Sequence, residues 1–228
     1  MKNIVLVFFF GGLLFLFFIL WKNYFRPIYL YEKFVSSEKR IRKINAFNSS
    51  ESLDSAIVFL GTSLTEGFDV AVFNHPKVLN RGIGGEFTKS ILLRLNEVVL
   101  RNPQKIFVEI GINDILANVE TKEIESNYLS LILSLKKNTR AKIYVQNILP
   151  VSFENGVFVN DDKTNEKAIS FNQFLKRLCI EHSLTYIDLY SSFEVNLRLN
   201  QNYTYDGVHL NKKGYEMWRK CVEKQIEE

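Results

Sequence analysis

Residues 56–69 read AIVFLGTSLTEGFD. The first five are apolar, without polar alternation, and suit a strand buried on both faces of a parallel sheet. The run breaks at Gly61-Thr62-Ser63, residue types that read equally as a strand-ending turn and as a reactive loop.

Further on, KVLN (77–80), KIFVEI (105–110), KIYVQNI (142–148) and TYIDL (185–189) have the same character. Apolar stripes at helical spacing lie between and after them. One is Ile91, Leu92, Leu95, Val98 and Val99, and a second is Ile124, Tyr128, Leu131, Ile132 and Leu135. A third is Phe171, Phe174, Leu175 and Leu178, and Trp218, Cys221, Val222 and Ile226 close the chain. This alternation predicts a three-layer α/β/α sandwich around a parallel sheet. NSSES (48–52) is a polar break that opens the domain at 53–228, and 151–166 reads as its longest loop.

Ile4 to Trp21, IVLVFFFGGLLFLFFILW, is an unbroken apolar stretch flanked by Lys2, Lys22 and Arg26. A membrane-spanning helix needs roughly 20 such residues, and a cleavable signal would end in small residues rather than in FFILWKNYF. The expectation is an uncleaved single-pass anchor over 1–22, with the domain on the extracytoplasmic side. The segment 23–52 is then a basic juxtamembrane stalk, solvated or facing anionic headgroups. It holds much of the basic excess behind the net charge of +4, so that charge is no sign of a nucleic-acid partner. Cys179 and Cys221 lack metal-ligand spacing and read as small buried hydrophobes. The oligomeric state is left open.

In open α/β sheets ligands gather at the carboxyl ends of the strands. The segments there are Gly61-Thr62-Ser63, RGIGGEFTK (81–89), GIND (111–114) and, after the last strand and a loop, YDGVHLNKKGY (205–215). Together they supply a hydroxyl, flexible backbone, an amide, a carboxylate and an imidazole, the inventory that acyl transfer requires. Of the three histidines, His75 precedes a proline and His182 ends a helical stretch. Only His209 lies at a strand-to-helix connection with a nearby carboxylate, Asp206. Each has a plainer reading: Asp206-Gly207 as a turn, Asn113 as a helix cap, Asn211 as the N-cap of the last helix. The 81–89 loop fits no nucleotide-binding pattern, and its glycines allow a sharp turn that exposes a backbone N–H, that of Gly85.

In order, FLGTSLTEG, LNRGIGGEFT, IGIND and DGVHLNKKGY resemble the consecutive blocks of the SGNH/GDSL hydrolase family, most closely the branch of platelet-activating-factor acetylhydrolase and bacterial carbohydrate O-acetylesterases. The resemblance implies a flavodoxin-like five-stranded sheet of order 2-1-3-4-5 and ester hydrolysis without metal or cofactor. It implies Ser63 as nucleophile, His209 as base and Asp206 as acid, with Ser63, Gly85 and Asn113 forming the oxyanion hole. Thr62 stands where the family usually has Asp. The expected substrate is a small O-acyl ester, acetyl on a carbohydrate. The rivals are a lysophospholipase or short-chain lipid esterase, an acyltransferase with the same triad, and a non-catalytic glycan-binding module.

Overall fold

Five strands, β1 (Ile57–Gly61), β2 (Val78–Gly82), β3 (Lys105–Glu109), β4 (Lys142–Gln146) and β5 (Thr185–Ile187), form one parallel sheet in the order β2-β1-β3-β4-β5. They are seen in a computed structural model that describes residues 13–50, 54–153 and 161–227. The sequence-based fold class and strand order are both present.

Successive strand residues point to opposite faces, and the core divides accordingly. Val58, Leu60, Ile106, Val108 and Val145 pack with Tyr128, Leu131 and Leu135 of helix Thr121–Asn138 and with Phe171 and Leu175 of helix Asp161–His182. Ile57, Phe59, Phe107 and Tyr144 pack with Trp218, Val222 and Ile226 of helix Lys212–Glu227. The parallel register sets Phe59, Phe107 and Tyr144 side by side. Their rings stack at centroid distances of 4.7 and 4.5 Å. Trp218 closes this layer by donating its indole N–H to Gln146 Oε1 at 2.6 Å.

Three expectations change. The 91–99 stripe is not one helix but Thr88–Ile91, a 3₁₀ turn Leu92–Arg94, and Leu95–Val99. The break lets the buried Arg94 donate to Glu86 Oε2 at 2.6 Å and to Arg81 O at 2.8 Å, a polar demand that the apolar stripe does not record. The 151–166 loop is helical from Asp161 onward, and 154–160 lie outside the described residues. Residues 26–49 are not a solvated stalk. They form helices Arg26–Val35 and Glu38–Ser49, the second started by Ser37, whose hydroxyl accepts the Arg40 N–H. Arg40 and Phe47 are buried, and the guanidinium meets the Glu86 carboxylate and the Ser90 carbonyl within the domain.

Helix Arg26–Val35 is the end of a longer apolar helix. Leu13–Val35 is continuous over 23 residues, with mean hydropathy 1.2 over its most apolar 18-residue stretch and a π-helical turn at Trp21–Phe25. By length and composition it is able to cross a membrane, and Leu14, Phe15 and Phe17 are exposed on it. The rest of the expected span, residues 1–12, lies outside the described residues.

Phe107 is fully buried at the centre of the aromatic row, so Phe107→Ala is expected to cost about 3–5 kcal/mol of unfolding free energy. A fall in the denaturation midpoint of the full chain measures it. A loss below about 1 kcal/mol would contradict the packing described.

Candidate active site

Ser63 starts the short helix Ser63–Glu66 at the carboxyl end of β1. Its Oγ lies 3.0 Å from His209 Nε2, and His209 Nδ1 lies 2.7 Å from Asp206 Oδ2. Residues 146 positions apart are therefore joined in one hydrogen-bonded chain. Asp206 Oδ1 also accepts the backbone N–H groups of Val208 and His209, at 2.9 and 2.7 Å. Burial acts to raise the Asp206 carboxyl, but the His209 ring and these backbone donors outweigh it and hold it below the usual carboxylate range. The pair remains open to solvent, with the His209 and Asp206 side chains 36% and 41% exposed.

The turn that carries Asp206 and His209 rests on Thr204, which sequence reasoning missed, and on Gly207, which it placed in that turn. Buried Thr204 accepts the Gly207 N–H at 2.9 Å and donates to His209 O at 2.7 Å. Gly207 has φ +86°, and a Cβ there would lie 2.0 Å from Ser152 O, so the position requires glycine. Asn211 caps the last helix as expected, accepting the Gly214 N–H at 3.1 Å.

The 81–89 loop abuts Ser63. A Cβ built on Gly84 would lie 3.4 Å from Ser63 Cβ, and Gly85 takes φ +87°. Glu66 Oε2 accepts the Gly84 N–H at 2.7 Å. Asn113 lies within helix Ile112–Ala117 rather than capping it, and its side-chain amide donates to Glu86 O at 3.0 Å. Its neighbour Asp114 accepts the N–H and hydroxyl of Thr88. Asn80 anchors the other side, donating to the carbonyls of Thr65 and Phe68 and accepting the Gly82 N–H. A polar residue at the end of the apolar run KVLN was the signal for it. His75 and His182 take no part; His75 Nδ1 accepts the Lys77 N–H and His182 O accepts from Lys136. Cys179 is buried and Cys221 half-buried, both as free thiols.

Thr62 now has a partner. Its hydroxyl donates at 3.0 Å to Glu109 Oε2, a fully buried carboxyl at the end of β3. The hydroxyl at position 62 thus meets a carboxyl from the neighbouring strand. Burial pushes Glu109 up to about 7, against the lowering by Thr62. Between its ordinary 4.5 and about 7 the native state keeps a proton that the unfolded chain has lost, so Glu109 subtracts stability as pH rises through that window.

Residues 53–217 match the GDSL-like Lipase/Acylhydrolase family. The chain belongs to that family. Among curated relatives it is 31% identical over 186 residues to an N-acylneuraminate cytidylyltransferase of Escherichia coli O18:K1:H7, covering 76% of this chain and 40% of the relative. The chain thus spans well under half of that protein. A GDSL-like lipase from Bacteroides thetaiotaomicron has the same fold at TM-score 0.73 and 24% identity, covering 82% of this chain and 96% of its own. An acetylxylan esterase from Geobacillus stearothermophilus superimposes at TM-score 0.63 and 19% identity, covering 77% and 96%.

Two substitutions test the Thr62–Glu109 pairing. Glu109→Gln is expected to flatten the fall in stability between pH 4.5 and 7, measured by chemical denaturation. Thr62→Asp sets a second carboxylate against the first and is expected to cost about 3 kcal/mol. Combining it with Glu109→Gln should recover most of that loss, whereas a double variant no more stable than Thr62→Asp alone refutes the pairing.

Proposed function

We propose that this esterase removes small acyl groups, acetyl above all, from a carbohydrate on the extracytoplasmic side of a membrane, anchored by its apolar N-terminal helix. The observation that carries the chemistry is the hydrogen-bonded chain Ser63–His209–Asp206. Asp206 fixes the imidazole tautomer with the proton on Nδ1, which leaves Nε2 to accept the Ser63 proton. Ser63 Oγ attacks the ester carbonyl, and the N–H groups of Ser63 and Gly85 with the Asn113 amide hold the oxyanion. His209 passes its proton to the leaving alcohol, and the acyl group stays on Ser63. His209 then takes a proton from water, the hydroxide releases the acid, and Ser63 regains its proton. No metal enters these steps.

An open site suits an ester presented on a bulky polar substrate, where a long acyl chain wants an enclosed apolar groove. Tyr205, 71% exposed and stacked beside His209 at 5.9 Å, offers a face on which a sugar ring can lie. Tyr203, two residues earlier, instead packs edge-on against Phe193. The likeness to an acetylxylan esterase and to a relative named for N-acylneuraminate, a sugar acid, supports a carbohydrate substrate. The apolar helix favours a second reading, hydrolysis of a short-chain lipid ester at the bilayer.

Acetate release from a panel of O-acetylated glycans, beside turnover of acetyl and octanoyl aryl esters, separates the two. The glycan reading expects acetyl turnover at least tenfold above octanoyl; the reverse order favours the lipid. Ser63→Ala is expected to abolish both, a loss of about 10⁴-fold or more. Undiminished turnover in that variant would end the serine mechanism.

A further inference from the structure

Residues 26–49 precede the segment that matches the family, which begins at 53. They nonetheless reach the loop beside Ser63 at three points. Phe34, in the last turn of the helix Leu13–Val35, lies against Gly85, where a Cβ would meet its ring at 3.1 and 3.2 Å. Lys39 and Lys43 donate to the two carboxylate oxygens of Glu66 at 3.0 and 3.2 Å. That same carboxylate holds the Gly84 N–H at 2.7 Å. Arg40, between them, is 5% exposed. It donates to Ser90 O at 2.9 Å and reaches Glu86 Oε1 at 3.5 Å, with its guanidinium 5.5 Å from the Phe34 ring centre.

We propose that Phe34, Lys39, Arg40 and Lys43 are positioning residues of the esterase: they lock the Gly84-Gly85-Glu86 loop in the shape that aims the Gly85 N–H at the oxyanion. The inference rests on the serine-esterase reading above. The loop needs such a brace. Gly84 and Gly85 have no side chains to pack, Gly85 sits at positive φ, and two consecutive glycines are free to leave that conformation. Partners within the segment that matches the family fix only part of it: Asn113 and Arg94 act on Glu86, and Glu66 acts on Gly84. The 34–43 segment grips both ends, through Glu66 on the Gly84 side and through Glu86 on the other.

Two charge pairs of this kind would be worth little at an open surface. Here they act on a donor group whose displacement matters to the transition state and not to substrate binding. An oxyanion donor is worth about 10²- to 10³-fold in rate, and a misplacement of about 1 Å costs about 10²-fold. The same helix that reads as the membrane anchor thereby ends on the catalytic loop, so anchor and active site form one unit.

The test uses the full-length chain in detergent. Lys39 and Lys43 are 59% and 39% exposed, so Lys39→Met/Lys43→Met is expected to melt within about 2 °C of the parent. Its kcat on an aryl acetate should fall about 10- to 100-fold, with KM changed less than twofold, and Lys39→Arg/Lys43→Arg should restore it. Arg40→Gln should show the same kcat-selective loss with a lowered melting point. Parental kcat in the lysine double variant, or a loss that arginine fails to restore, overturns the proposal. If Ser63→Ala is inactive while the lysine variant keeps parental kcat, only the brace has failed; if Ser63→Ala stays active, the serine mechanism has.

Discussion

A carboxylate with no access to water must be paired, and Glu86 is fully buried. Its partners come from opposite directions along the chain. Arg94 approaches at 2.6 Å from the following helix and Arg40 at 3.5 Å from a helix 46 residues earlier. Around them Arg81, Arg94 and Arg101 converge on Glu97, while Arg81 and Arg94 also lie over the Phe47 ring. Deleting one member of such a network strands its neighbours in a low-dielectric interior, which is far costlier than losing a surface pair. The network therefore fixes three things at once: the break at Leu92–Arg94, the docking of residues 26–49, and the course of the loop that follows β2.

The parallel sheet supplies the rest of the geometry. β1, β2 and β3 end at one level, with Gly61 opposite both Gly82 and Glu109. Ser63, the 82–86 loop and Asn113 thus emerge side by side, and the turn before the last helix brings in Asp206 and His209. Groups on that edge are held by neighbouring segments: the Thr62 hydroxyl by Glu109, the Gly84 N–H by Glu66, the Asn113 amide by Glu86 O. The Ser63 hydroxyl sits at the start of a helix, the kind of fixed placement that preorganised catalysis requires.

The sheet was legible in the sequence because buried parallel strands are written as short apolar runs, and all five appear within a residue or two of their expected positions. Ser63, Asp206 and His209, read as a set from their places after the strands, are joined through His209, which lies within hydrogen-bonding distance of both the others. What periodicity could not carry was the destination of charged groups. EKRIRK at 38–43 has the composition of a solvated helix, yet Arg40 is interior, because its value depends on a carboxylate 46 residues away. Thr62 was opaque for the same reason, since its partner Glu109 sits inside an apolar run on a different strand. Tyr203 and Tyr205 are two residues apart with similar local sequence, and only packing against Phe193 separates a half-buried ring from an exposed one.

The central claim is that Ser63 is the nucleophile of this hydrolase, activated by His209 and held beside a braced oxyanion loop. Treating the full-length chain with a serine-reactive fluorophosphonate and mapping the adduct by peptide mass spectrometry tests it most directly. The account predicts one adduct, on Ser63, with esterase activity lost in proportion to its occupancy. An adduct on another residue, or full activity in protein fully modified at Ser63, would contradict it.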